Sequence, residues 1–352
     1  MATYKEIFGK QIKFLSSDPA NQAEGQIWYN STSGTFKSVV LGEAWSSGSP
    51  LTTARYNGSQ AKNGPQSSTV FGGGSLGPTQ TAVTEEYNGS GWSSGGALIQ
   101  SREGGSLGTG ISTAALNVGG FSGTYFANCE EYNGTAWSAN PNAYPAAVNQ
   151  VGGAGTATAS IFAGGYLSPV APPGRSELAF EFDGTSFASA NAKPYGTSAP
   201  ASAGTQTAAI FFGGYGQPGP EAAGAGASYQ DVMATYDGTN WTNGTSLPSA
   251  RNSAAGYGTQ TAAACVGGNV PAQTDIYNSW DGTSWSVRPS LAVARQGLGG
   301  AGTTTSGVAY GGSYAPGSPL FSDTEEFNQS VNVITAGAWA AGGALTTGRY
   351  ML

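Results

Sequence analysis

A pair of adjacent glycines closes a short apolar run again and again along this chain, and that recurrence limits the fold more than any other feature. The pairs are Gly72/Gly73, Gly119/Gly120, Gly164/Gly165, Gly213/Gly214, Gly267/Gly268 and Gly311/Gly312, at the ends of STVFGG, AALNVGG, SIFAGG, AIFFGG, AACVGG and GVAYGG. Spacings of 44 to 54 residues between them mark a repeat architecture. Downstream of each pair comes an aromatic followed by a turn dipeptide: Tyr87-Asn88-Gly89, Tyr132-Asn133-Gly134, Phe182-Asp183-Gly184, Tyr236-Asp237-Gly238, Trp280-Asp281-Gly282 and the degraded Phe327-Asn328-Gln329. Asn-Gly and Asp-Gly supply the positive φ of tight hairpins. An aromatic then opens a last run, at Trp92, Trp137, Phe187, Trp241, Trp285 and Trp339.

Each unit therefore reads as four short strands joined by turns, too small to bury its own faces. Twisted sheets fanned about an axis solve this, because each covers its neighbour and ring closure leaves only short edges. The order Gly-Gly, Tyr, Trp resembles the kelch repeat over residues 52 to about 345, departing from it in short strands, many Ala, Gly and Thr, and Phe187 in a Trp position. The resemblance implies an all-β fold, a six-bladed kelch-like β-propeller over residues 49–352, with Trp92, Trp137, Phe187, Trp241, Trp285 and Trp339 filling space between blades. Each such ring contributes about 1.5–3 kcal/mol. The stretch after Trp45 (SSGSPLTTARYN) is similar to that after Trp339 (AAGGALTTGRY), so the Trp45 segment reads as an extra copy of a last strand. Seven blades, the seventh completed by the N-terminal hairpin, is the alternative.

Residues 1–48 stand apart. Four of the six lysines fall here (Lys5, Lys10, Lys13, Lys37), and Gln26–Asn30, Ser31–Gly34 and Thr35–Leu41 read as strand, turn and returning strand. A lone hairpin is marginal in water, so this arm is expected to pack on the body, on another copy or on a larger assembly. The segment IKFLSSDPANQAEGQIWYNSTSGTFKSVVLGEAW resembles N-terminal segments of tail-fibre-like structural proteins of marine tailed phages. That likeness implies a virion protein, made in a host cytoplasm and attached through the arm to other virion proteins as a homo-oligomer.

Arginines recur just before the first strand of a unit (Arg55, Arg102, Arg251, Arg295 and the terminal Arg349), and acids recur on the third (Glu85/Glu86, Glu130/Glu131, Glu181, Glu325/Glu326). Only 9% of residues are charged, so this placement predicts a repeated Arg–Glu contact that fixes register. A net charge of −7 argues against a phosphate-binding surface and hence against nucleic acid. No run approaches the roughly 20 apolar residues of a membrane helix, no signal peptide is evident, and a soluble chain without membrane insertion is expected. Cys129 and Cys265, in different units, read as free buried thiols.

Histidine is absent, which removes imidazole-based nucleophile activation and metal sites. The copper chemistry of galactose oxidase, another kelch-type propeller, therefore does not carry over, and no cofactor or metal is expected. Adjacent Glu-Glu side chains on a strand face opposite ways and cannot form a catalytic dyad. The string Ser279–Trp285 resembles the Asp box of sialidases only loosely, lacking the residue between Asp and Gly. The Gly72–Gly74 run has no Gly-Lys-Ser/Thr after it and is not a phosphate loop.

Long loops rich in Pro, Gly and Tyr follow three glycine pairs, at residues 166–175, 215–229 and 313–322. Equivalent loops share one face of a propeller, where recognition concentrates. Phe121, Tyr125, Phe126, Tyr166, Tyr215, Tyr229 and Tyr314 are the candidate binding residues there, with host-surface glycan or protein as the expected ligand; rings that merely pack the rim are the competing reading. The expectation is a non-enzymatic phage virion protein, a tail-fibre or other surface-displayed module. Head decoration without a receptor role, a carboxylate-dependent glycan-active enzyme and an ordinary kelch interaction domain are the alternatives.

Overall fold

The computed structural model describes residues 13–20, 26–105, 108–167, 175–216, 227–315 and 318–336, with the side chains of 39–41 and 330–336 left aside. The chain divides into two compact units. One comprises residues 45–328, the other residues 1–44 with 329–352.

The described residues of the larger unit are all β. Five four-stranded antiparallel sheets follow one another: Ser59–Ser94, Gly110–Asn140, Gly152–Ala190, Ala201–Asn243 and Ala255–Arg288. The sixth sheet contains Gly299–Gly302, Ser306–Tyr310 and the start of Thr324–Ala336. Its fourth strand comes from the far end of the chain, the terminal part of Thr35–Gly48, where Ser46 Oγ donates to the Glu326 carbonyl. The position assigned from sequence to Trp339, which lies outside the described residues, is thus filled by Trp45. Its ring meets Tyr277 at 5.8 Å and Phe327 at 5.4 Å, and its Nε1 donates to the Pro289 carbonyl.

Local sequence accounts for the strands and their ends. Second strands such as Ser160–Ala163 are wholly buried and read as unbroken apolar runs, as sheets covered on both faces must. The turn dipeptides behave as expected: Gly89, Gly134, Gly184, Gly238 and Gly282 all have φ of 87° to 94°. The preceding Asn or Asp accepts two backbone N–H groups, as Asp281 Oδ1 does from Thr283 and Ser284. Aromatic wedges follow the same logic. Trp92 stacks on Tyr87 and on Tyr310 of the sixth sheet, while Trp285 stacks on Trp280 and on Phe212 of the fourth. Trp137 and Trp241 stack on Tyr132 and Tyr236 of their own sheets, and Phe187 on Phe182.

The glycine pairs prove to be joints between sheets. The second glycine of each donates to the backbone carbonyl at the arginine position of the next unit: Gly74 to Arg102, Gly120 to Val148, Gly165 to Thr197, Gly214 to Arg251, Gly268 to Arg295 and Gly312 to Arg55, all at 2.8–2.9 Å. The first glycine lies flat against that same carbonyl. A Cβ on Gly213, already at φ 65°, would stand 2.5 Å from the Arg251 oxygen. In the first sheet the pair in this setting is Gly73/Gly74 rather than Gly72/Gly73, because Gly72 is the last residue of its strand. Two residues beyond each arginine position, a residue at φ 49–62° joins a second set of bonds. Asn57 N donates to Gly297 O, Gly297 to Ser253, Ser253 to Ala199, Ala199 to Gln150, Gln150 to Gly104 and Gly104 to Asn57, a cycle that returns to its start.

The expected Arg–Glu contact is present three times, within a sheet each time and buried: Arg55–Glu85 at 2.9 Å, Arg102–Glu130 at 2.5 Å and Arg295–Glu325 at 2.8 Å. Arg251 differs, for Asn278 stands where the glutamate would be, and Arg349 lies outside the described residues. The second Glu of a pair faces the other way, as strand alternation requires. Tyr87 Oη donates to Glu326, Tyr132 to Glu86 and Tyr236 to Glu181, each tying one sheet to the sheet before it. Inner strands are also tied across the interior: Lys62 Nζ reaches Ser202 O and Oγ, both at 2.7 Å, and Asn63 Nδ2 reaches Gly204 O. Cys129 and Cys265 are free and buried.

In the smaller unit Lys13–Leu15 runs parallel to Ile27–Asn30, which pairs antiparallel with the start of Thr35–Gly48, so the expected hairpin is present. The Asp18 carboxylate gathers Lys37 Nζ, Asn30 Nδ2 and Trp28 Nε1 beneath the sheet. These bonds, led by Lys37, hold its carboxyl below the usual range. Registered side by side across the three strands are Phe14, Tyr29 and Phe36, with ring centroids 4.9 and 5.1 Å apart, and Phe14 is 73% exposed.

Candidate functional site

Second strands run into the glycine pairs, so the loops that follow emerge at the end of the sheets where the backbone cycle lies. The residue after each pair bonds to the residue after the arginine position of its own unit: Ser75 to Tyr56, Phe121 to Glu103, Tyr166 to Asn149, Tyr215 to Ser198, Asn269 to Asn252 and Ser313 to Gln296. Main-chain pairing therefore fixes six equivalent side chains around this end. Their chemistry is lopsided. Sheets two to four contribute Phe121, Tyr166 and Tyr215; sheet five contributes an amide, and sheets one and six contribute buried serines.

The aromatic half is continuous. Phe121 meets Tyr125 at 5.3 Å, and Tyr125 meets Tyr166 at 5.6 Å. The guanidinium of Arg175 lies over Tyr215 at 4.4 Å and over Tyr166 at 6.0 Å, bridging the two rings. Tyr215 meets Tyr229 at 5.3 Å, and Asn269 Nδ2 donates to Tyr229 Oη at 3.1 Å. The rings are half-buried. Five of the seven residues expected at this face, Phe121, Tyr125, Tyr166, Tyr215 and Tyr229, thus form one arc. Phe126 packs beneath the guanidinium of Arg102 at 5.0 Å instead, the rim-packing role, and Tyr314, 53% exposed, sits apart in the sixth unit.

Arg175 and Asn269 were missed by sequence reasoning. Arg175 carried a usable signal, being outside the position that the other repeat arginines occupy. Among the described residues it has no carboxylate ion-pair partner. Inside the arc the residues after the arginine positions form a polar row, Tyr56, Glu103, Asn149, Ser198, Asn252 and Gln296. Burial raises the Glu103 carboxyl, partly offset by hydrogen bonds from Ser75 and Gln80.

Flat rings, amides and one stacked cation suit a saccharide or a polar protein surface: rings cover C–H faces while amides and the guanidinium take hydroxyls or an acidic group. Nucleophilic chemistry finds no support in the cysteines, since burial pushes the Cys129 thiol up to about 12 and raises that of Cys265. Carboxylates of the third strands are committed to Arg55, Arg102, Arg295, Tyr87, Tyr132, Tyr236 and Asn140. At the opposite end a shallow pocket of about 330 Å³ is lined by hairpin residues including Asn63, Thr205, Thr259 and Thr303. No group of three or more acidic or thiol side chains able to hold a metal occurs among the described residues. None of the described residues form a helix long and apolar enough to cross a membrane.

No protein-family profile matches the chain, and no curated protein matches it in sequence. Among solved structures it is similar to the structure of YjhT, with a TM-score of 0.65 and 14% identity, over 82% of this chain and 99% of that one. At that identity the likeness concerns the fold alone.

Proposed function

We propose that the six sheets are blades of a closed β-propeller of kelch type, and that the chain is a non-enzymatic structural protein of a tailed-phage virion whose aromatic arc contacts a host-surface glycan. Six members in the backbone cycle, and the bond from Gly312 to Arg55 that joins the last sheet to the first, favour six blades over seven. The virion assignment rests on the N-terminal segment and its likeness to tail-fibre-like proteins. A neighbouring feature is consistent with attachment there to other virion proteins: Phe14, Tyr29 and Phe36 form an aromatic row on one sheet face, with Ile27, 54% exposed, on the same side of its strand.

The observation that carries the binding reading is the continuous arc Phe121–Tyr125–Tyr166–Arg175–Tyr215–Tyr229. Rings that served only to pack loops would not need to be concentrated in three successive units around a cation that has no carboxylate partner among the described residues. A glycan array probed with the purified protein tests it. Selective binding that falls at least ~10-fold in Tyr166→Ala and Tyr215→Ala, with the fold intact, is expected. Binding unchanged in both variants would end this reading of the arc, and release of oligosaccharide from a bound glycan would replace it with an enzymatic one. Immunolabelling of intact particles tests the location, and its failure would leave the glycan result standing.

A further inference from the structure

We propose that the fifth sheet carries a buried site for a small monovalent anion of the chloride type, held between Arg251 Nη2 and Asn278 Nδ2. The argument is an internal comparison. The position one residue into the third strand and the arginine position covary around the molecule. Sheets one, two and six have Arg55 with Glu85, Arg102 with Glu130, and Arg295 with Glu325. Sheets three and four have neither, with Val148 beside Phe180 and Thr197 beside Ala234 at the same places. Sheet five alone keeps the cation and lacks the acid.

The guanidinium is nonetheless placed as in its sisters. Arg102 Nη1 donates to Gly119 O and Asn128 O, and its Nη2 reaches Glu130. Arg251 Nη1 donates to the equivalent carbonyls, Gly267 at 3.4 Å and Ile276 at 3.1 Å, yet Nη2 and Nε have no partner although the residue is 1% exposed. Both amide atoms of Asn278, also 1% exposed, are unpartnered too. Asn is one methylene shorter than Glu, so its amide stops short of the place where the sister carboxylates stand. The surroundings have changed in step. In sheets two and six the carboxylate also takes the backbone N–H three residues before the arginine, at Ile99 or Ala292, while in sheet one it takes that of Thr53, two residues before Arg55. Three residues before Arg251 stands Pro248, which has no N–H to give. The donors left unpartnered there are Arg251 Nη2 and Nε and Asn278 Nδ2, a small set that suits a compact anion better than a bulky oxyanion needing more donors. A guanidinium charge buried without a counter-charge is costly, which favours an anion beside it.

Thermal unfolding in sodium chloride against sodium gluconate at equal ionic strength tests the site. The natural chain should melt about 1–3 °C higher in chloride. Asn278→Glu, which restores the sister geometry, should lose that difference. Equal melting of the natural chain in the two salts, or the same chloride shift persisting in Asn278→Glu, would overturn the proposal. Should that variant fail to fold, bromide-soaked crystals of the natural chain decide: an anomalous peak beside Arg251 Nη2 supports the site and its absence removes it.

Discussion

Charged residues are few in this protein, and almost every buried one has a defined structural task. Removing one partner of a buried pair leaves the other uncompensated, so Glu325→Leu should cost about 3–5 kcal/mol in urea unfolding through the stranded Arg295 guanidinium. The double change Arg295→Met/Glu325→Leu should recover most of that loss, because an apolar pair of similar volume needs no solvation. Lys193 gives a pH signature. Burial brings its ammonium down to about 7, with Glu177 opposing the shift, while its Nζ donates to Thr197 Oγ1 at 2.5 Å. An unfolded lysine titrates near 10.4. Between pH 7 and about 10 the unfolded chain therefore binds more protons, and stability should rise with pH in that window. Lys193→Met should flatten the rise; an unchanged slope in denaturant titrations at several pH values would contradict this. Much of this scale was readable in advance. The rarity of charge made the Arg and Glu positions stand out, but the loss of the acid at Asn278 was overlooked because a neutral amide does not register in a scan for charges.

Between sheets the glycine pair is the decisive element, and two substitutions separate its roles. Gly213→Ala combines an unfavourable φ with a collision against the Arg251 carbonyl, and should cost at least about 2 kcal/mol. Gly123→Ala has a similar φ of 80° but nothing within 4 Å of a new Cβ, and should cost only about 1 kcal/mol. Similar losses in the two, measured by melting, would mean that conformational strain alone explains the pairs. The sequence signalled the pairs clearly, yet their setting was misplaced by one residue in the first unit. Three consecutive glycines there share one local pattern, and only the neighbouring sheet's carbonyl distinguishes them.

Across the whole larger unit, the first and last described strands meet in one sheet. Trp45→Ala removes a ring that packs against Tyr277 and Phe327, and should cost about 3 kcal/mol. Deletion through Gly48 withdraws the entire outer strand of the sixth sheet, exposing Phe327 and Thr324, and should broaden the unfolding transition as well as lower its midpoint. A truncated chain that melts as sharply and as high as the full one would refute the role given to this strand. Trp45 had been read from sequence as a surplus copy of a last strand and Trp339 as the working one. Similar flanks make the two exchangeable on paper; the structure places Trp45 in the sixth sheet, and Trp339 lies outside the described residues.

The amino-acid sequence by itself determined the repeat, the four-strand unit, the turns and the alternation of the Glu-Glu pairs, because each of these depends on φ preferences and side-chain parity within a few residues of chain. Contacts between units were decided only in three dimensions: which carbonyl each glycine meets, which tryptophan completes the sixth sheet, and how Arg175 draws Tyr166 and Tyr215 into one arc. Such contacts join residues from separate repeats or the two ends of the chain, and local patterning carries no information about which partner lies opposite.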